Sequence, residues 1–197
     1  MTNQQIIESI RGWREIKDNS DEIIRYFEQG NAFSYSLPSG TSPTEDIHVY
    51  PGIYDKKLFF LTLLAKYDKP EYLATIANHV TVSPMEWSIM DTRIPESEAK
   101  ERVARWNNDY RGWIQSQVTT ADGIFMAFNV KAEDFEVPNA KVNMALRRDS
   151  MNPFARSIAD LIILNDDYGI LNYDDYVTPV PPYNASALQS SFYLMSV

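Results

Sequence analysis

The chain has 197 residues, 44% of them hydrophobic, enough for one substantial core and therefore for a single domain spanning residues 1–197. A formal charge of −9 argues against nucleic acid and against an anionic membrane surface, both of which are met through Lys and Arg. With no cysteine and only His48 and His79, thiol nucleophiles, disulfides and cysteine-based metal sites are excluded.

The first segment carries a capping-box spacing, Thr2 to Gln5, and Ile6, Ile10, Trp13 and Ile16 recur at helical intervals, which predicts a helix over residues 3 to 17. Asn19 with Glu22 signals a second start, Ile23, Ile24 and Phe27 supply its apolar stripe, and Gly30 stands where a C-terminal cap belongs, giving a helix over residues 20 to 29. A DNA-reading helix pair is disfavoured, since Asp21, Glu22 and Glu28 outweigh Arg25. Residues 31 to 46, rich in Ser, Pro and Gly, are expected as a long loop with the character of a flap.

Ile47 to Tyr54 and Leu58 to Ala65, joined by Asp55, Lys56 and Lys57, form a hairpin signal, and the second strand is apolar on both faces. Two more strands are expected over residues 75 to 82 and 85 to 92, with a tight turn at Ser83-Pro84 and Val80, Val82, Met85, Trp87 and Ile89 buried. Ala99, Val103, Trp106, Tyr110, Trp113 and Gln117 alternate at steps of four and three, the face of a helix over residues 95 to 117. That spacing favours core packing over a sugar-stacking platform for its aromatic rings.

Strands follow over residues 124 to 130 and 141 to 147, and Asn152-Pro153 opens an expected helix to about Leu164. No Lys or Arg occurs after Arg156, while five aspartates do. Residues 165–197 are therefore expected as an extended, acidic, Tyr- and Pro-containing segment docked on the domain, its apolar end Phe192 to Met195 pairing at a sheet edge or reaching a neighbouring subunit. The fold expected is α+β, a largely antiparallel sheet packed against the N-terminal helices and a long central helix.

Site signals are weaker. The glycines lie too far apart for any phosphate loop, and neither the nucleophile elbow of lipases nor the His-Glu-x-x-His motif is present. If Ser83-Pro84 is a tight turn, His79, Ser88 and Glu86 share one side of a ribbon, where an imidazole takes a hydroxyl proton and a carboxylate orients the ring. Alternation demands polar residues there in any case, so a solvated ribbon face is the simpler account. His48, Tyr50 and Tyr54 share a strand face that Trp87, Asp91 and Arg93 would extend into a ligand pocket. Asp166, Asp167, Asp174 and Asp175 suggest calcium by type but not by spacing, which departs from the EF-hand loop.

No cofactor is implied. The functional expectation is a non-catalytic binding or assembly module that meets a protein partner or forms a homo-oligomer; the alternative is a small hydrolase-like enzyme with a pocket near His48 or His79. The composition and the lack of an apolar leader suit a cytoplasmic protein, although export of a chain with a trimmed leader fits the missing cysteines too.

Overall fold

The structure, a computed structural model, describes residues 1–88, 97–148, 156–167, 169–174, 177–181 and 191–197. Helix α1, Asn3–Ile16, begins at the capping box read from the sequence: the Gln5 N–H donates to Thr2 Oγ1 at 3.2 Å and the Thr2 N–H to Gln5 Oε1 at 2.8 Å. In α2, Ser20–Phe27, Asn19 caps through Oδ1 to the Glu22 N–H at 3.2 Å. Gly30 is not the cap, which falls on Glu28 in a right-handed conformation. It is needed for close approach instead, because a Cβ at Gly30 would sit 2.4 Å from the carbonyl oxygen of Glu86.

Nine strands follow among the described residues: β1 Ala32–Tyr35, β2 Asp46–Tyr54, β3 Lys57–Leu64, β4 Thr81–Pro84, β5 Ala127–Lys131, β6 Ala140–Arg147, β7 Ile158–Asp167, β8 Ile170–Asp174 and β9 Val177–Val180. The long helix α3, Ser97–Gln117, lies between β4 and β5. The strands form two wholly antiparallel sheets, ordered β1-β6-β7-β8 and β4-β3-β2-β5-β9. The β2–β3 hairpin closes with Tyr54 opposite Lys57, and positive φ at Asp55 (48°) and Lys56 (61°) gives the turn whose twist matches the strands.

Strand parity distributes the side chains. Ile47, Val49, Phe60 and Phe128 of one sheet and Phe33, Val142, Met144, Leu161 and Ile163 of the other meet in the main core, where the rings of Phe33 and Phe60 stack at 4.3 Å. Ile6 and Ile10 of α1 cover Tyr50, Leu61 and Leu63 on the other face of the five-stranded sheet, while Ala99 and Val103 of α3 cover Ala145 and Ile162 on the other face of the four-stranded one. The order of layers is thus helix, sheet, sheet, helix: an α+β single-domain fold. Farther along α3, Trp106 enters the main core edge-on to Phe27 at 4.9 Å. Trp113 is half-buried, and its indole N–H donates to the Ser157 carbonyl at 2.7 Å.

Several expected elements differ. The run Ile158 to Leu164 is strand β7, not helix; its β-branched residues suit a pleated surface, and it pairs with β6 from Lys141↔Leu164 to Arg147↔Ile158. Residues 70–78 form a kinked 3-10 segment, because Leu73, Ile76 and Ala77, with Val80 just beyond it, recur at spacings of three and four and pack on the α1 side of the sheet. There is no turn at Ser83-Pro84: both lie within edge strand β4, where proline's missing N–H is tolerated. The chain then crosses to the other sheet through a bridge between Glu86 and Ala32. Trp87 is 65% exposed rather than buried, and residues 89–92 lie outside the described residues. The expected irregular stretch after Tyr173 contains β9, and the expected loop over residues 31 to 46 contains β1.

Candidate functional site

The turn that leaves β3 separates two environments. Residues Ala65–Tyr67 make one 3-10 turn, closed by the Asp68 N–H on the Ala65 carbonyl at 3.0 Å. Asp68 then turns inward, beneath the outer face of the five-stranded sheet, and Tyr67 packs against both the main core and the cluster under α1.

The inward side is a sealed polar centre. Nδ1 of His48 lies 2.6 Å from Oδ2 of Asp68, the Tyr50 hydroxyl donates to the same oxygen, and the Leu194 N–H donates to Oδ1 at 3.0 Å. His48 and Tyr50 are two residues apart on β2, so they project from one face and converge on one carboxylate. Burial, reinforced by the charge and hydrogen bond of Asp68, holds the Tyr50 phenol well above its ordinary range, keeping it a donor. Phe192 closes the centre with its ring stacked on His48 at 3.8 Å and 18°. His48, Asp68 and Phe192 are each only 2% exposed, so the centre is closed to solvent and to substrate.

The outward side is a cleft of about 260 Å³. Lys66, Tyr67, Asn78, His79 and Thr81 line it together with the turn Pro38–Thr41, which forms a rim, and with Tyr35 and Leu64. That rim is a tight turn in which the Thr41 N–H donates to the Pro38 carbonyl at 3.2 Å and Gly40 takes φ +78°. His79 stacks on Tyr67 at 4.1 Å and meets Tyr72 edge-on at 5.3 Å. The Lys66 ammonium lies 2.7 Å from Glu45 and 5.4 Å above the Tyr67 ring; the Glu45 hydrogen bond raises its pKa. Burial pushes the Tyr35 phenol up to about 12. The cleft therefore offers hydroxyls, an amide, an imidazole and aromatic faces, with its cation already paired.

The residues expected as a hydrolytic set are not brought together. His79 sits at the end of the 3-10 segment, Glu86 bonds Ser34 at 2.8 Å and Lys141 at 2.5 Å, and Ser88 is held through its backbone by the Asn31 side chain. The Lys141 hydrogen bond also keeps Glu86 below the usual carboxylate range. Of the expected ligand face, His48 and Tyr50 share the sealed centre, Tyr54 accepts from Gln5 at 2.9 Å outside it, Trp87 is exposed elsewhere, and Asp91 and Arg93 lie outside the described residues. Asp166 accepts the Gly169 N–H at 2.8 Å in the β7–β8 turn, Asp174 accepts from Asn165 at 2.9 Å, Asp167 is exposed, and Asp175 is not among the described residues. Among the described residues no group of three or more His, Asp or Glu side chains is placed to hold a metal ion.

Sequence reading did not find Asp68, Tyr67 or the role of Phe192. No motif spacing links His48 to a carboxylate 20 positions later, or Asp68 to a backbone N–H 126 positions later. Comparisons with protein-family models, with curated proteins and with solved structures find no match.

Proposed function

We propose that the protein is a non-catalytic binding module and that the cleft beside Tyr67 and His79 receives a short segment of a protein partner. The observation that carries this reading is the lining itself: Ser39, Thr41, Asn78 and Thr81 provide donors and acceptors suited to a peptide backbone, and the Tyr67–His79 stack provides an apolar flank for one side chain. A volume of about 260 Å³ is at or below the small end of ligand pockets, roughly 300–1,000 Å³, so it suits a residue or two of a chain rather than a large cofactor. The paired Lys66 and the overall acidity give an anionic ligand little advantage. A panel of immobilised short peptides, probed with the full chain, tests the reading. Binders lost on Tyr67→Ala and kept on Asp166→Asn support it; binders indifferent to Tyr67→Ala overturn it.

The hydrolase reading draws on one observation, the 2.6 Å His48–Asp68 contact, which resembles a base and its orienting carboxylate. It requires Phe192 to leave and a nucleophile to enter. Ester or amide turnover that survives His48→Ala would remove it.

A further inference from the structure

We propose that the C-terminal turn Tyr193–Ser196 is a strap that regulates the cleft: its docking on Asp68 holds the Ala65–Asp68 turn in the shape that presents Lys66 and Tyr67, so strap docking and cleft occupancy are coupled. The proposal rests on the reading of the cleft as a binding site and adds how that site is controlled.

Three observations carry it. First, the strap and the cleft wall share a residue pair with nothing soft between them. Asp68 holds the Leu194 N–H, and the adjacent Tyr67 forms the wall, stacked on His79. Second, the strap is held by packing and two hydrogen bonds rather than by a strand ladder: Leu194 is buried in the cluster under α1, its N–H bonds Asp68, the Arg14 guanidinium bonds the Met195 carbonyl at 3.1 Å, and the Phe192 ring lies on His48. A segment outside any strand ladder can open without breaking the sheets it covers, which is what a regulated element needs. Third, Tyr67 and Met195 each pack against both the main core and the cluster under α1, so displacing the strap removes packing from the same seam that supports the wall.

Coupling between two sites is reciprocal. A ligand that braces Tyr67 must tighten the strap, and loss of the strap must loosen the wall, by a factor typically between about 5 and 150. Nothing in this device needs a new group, because the sealed centre and the cleft are opposite sides of one turn.

Amide hydrogen exchange on the full chain tests the coupling without any ligand, so its outcome is independent of whether peptides bind. The amides to follow are Leu194, bonded to Asp68, Asp68, bonded to Ala65, and His79, bonded to Ile76. Phe192→Ala is expected to speed exchange at all three by about tenfold or more, and to move the His79 ring resonances as the Tyr67 stack loosens. The β6 amides should stay slow, and Phe192→Leu should recover part of the protection. Fast exchange at Leu194 alone, with Asp68 and the His79 ring unchanged, overturns the proposal. If Phe192→Ala does not fold, the parent protein in sub-denaturing urea decides. Leu194 and Asp68 opening together, below the global transition, supports coupling; Leu194 opening alone refutes it.

Discussion

The two histidines of this chain stand on opposite sides of one turn, and each keeps aromatic company. Each stacks on one aromatic ring, His48 on Phe192 at 3.8 Å and His79 on Tyr67 at 4.1 Å. They differ in solvent. His48 is sealed with Asp68 and Tyr50 under the end of the chain, whereas His79 borders an open cleft. Polar groups without water must satisfy one another completely, so the sealed side is an all-or-nothing network; polar groups with water can exchange partners, so the open side is free to bind.

The largest expected effect comes from breaking the sealed side. Asp68→Ala leaves the Tyr50 hydroxyl, the His48 ring and the Leu194 N–H without their acceptor and should cost roughly 3–5 kcal/mol in urea unfolding. Asp68→Asn should cost less, because an amide oxygen still accepts the Leu194 N–H. Equal losses for the two variants would mean that the centre is simple packing. Next in size is Phe192→Ala, at about 1.5–3 kcal/mol for lost burial, since the short 3-10 turn that follows it can relax into the gap. A third, smaller effect probes the open side: His79→Ala should cost about 0.5–1.5 kcal/mol, because its ring contacts with Tyr67 and Tyr72 are half-open to water. Acylation of imidazoles in the folded protein should modify His79 and spare His48. Modification of both at equal rates would erase the distinction.

How far the sequence reveals this arrangement follows from the range of the forces involved. The starts of α1 and α2 depend on side chains three positions away, Thr2 with Gln5 and Asn19 with Glu22, and are legible. Trp106 on α3 is legible because a period of 3.6 needs no knowledge of what covers the face. The identity of β7 is not legible, because Ile158 to Leu164 suits helix or strand until β6 is present to pair with it. The site divides in the same way. His48 and Tyr50 are found as a pair because alternation puts them on one face, while their acceptor Asp68 and their lid Phe192 arrive through tertiary contacts that no local pattern announces. The end of the chain shows the limit most plainly. Four apolar residues call for cover, but whether that cover is a sheet edge, another subunit or, as observed, the chain's own His48 and Asp68 is decided by the assembled surface.

The smallest expected effect is the sharpest on the contrast, because it compares contacts of nearly equal length. Lys66 lies 2.7 Å from Glu45 and His48 lies 2.6 Å from Asp68, yet the Lys66 side chain is 47% exposed and the His48 side chain 2%. In water the pair's attraction is screened and offset by the cost of fixing two long side chains. Its effect is therefore visible in titration rather than in stability. The Glu45 hydrogen bond raises the pKa of Lys66 above its ordinary value of 10.5. A raised cation pKa contributes stability that is fully present below the unfolded value and is lost as pH rises through the folded one, so nothing should change between pH 5 and 9. Glu45→Gln should bring the Lys66 titration, followed by NMR at its ε-carbon, back towards 10.5 and leave the neutral-pH melting temperature where it was. A clear drop in melting temperature would show that this rim is as dry as the centre behind it, and that the two sides of the turn do not differ as described.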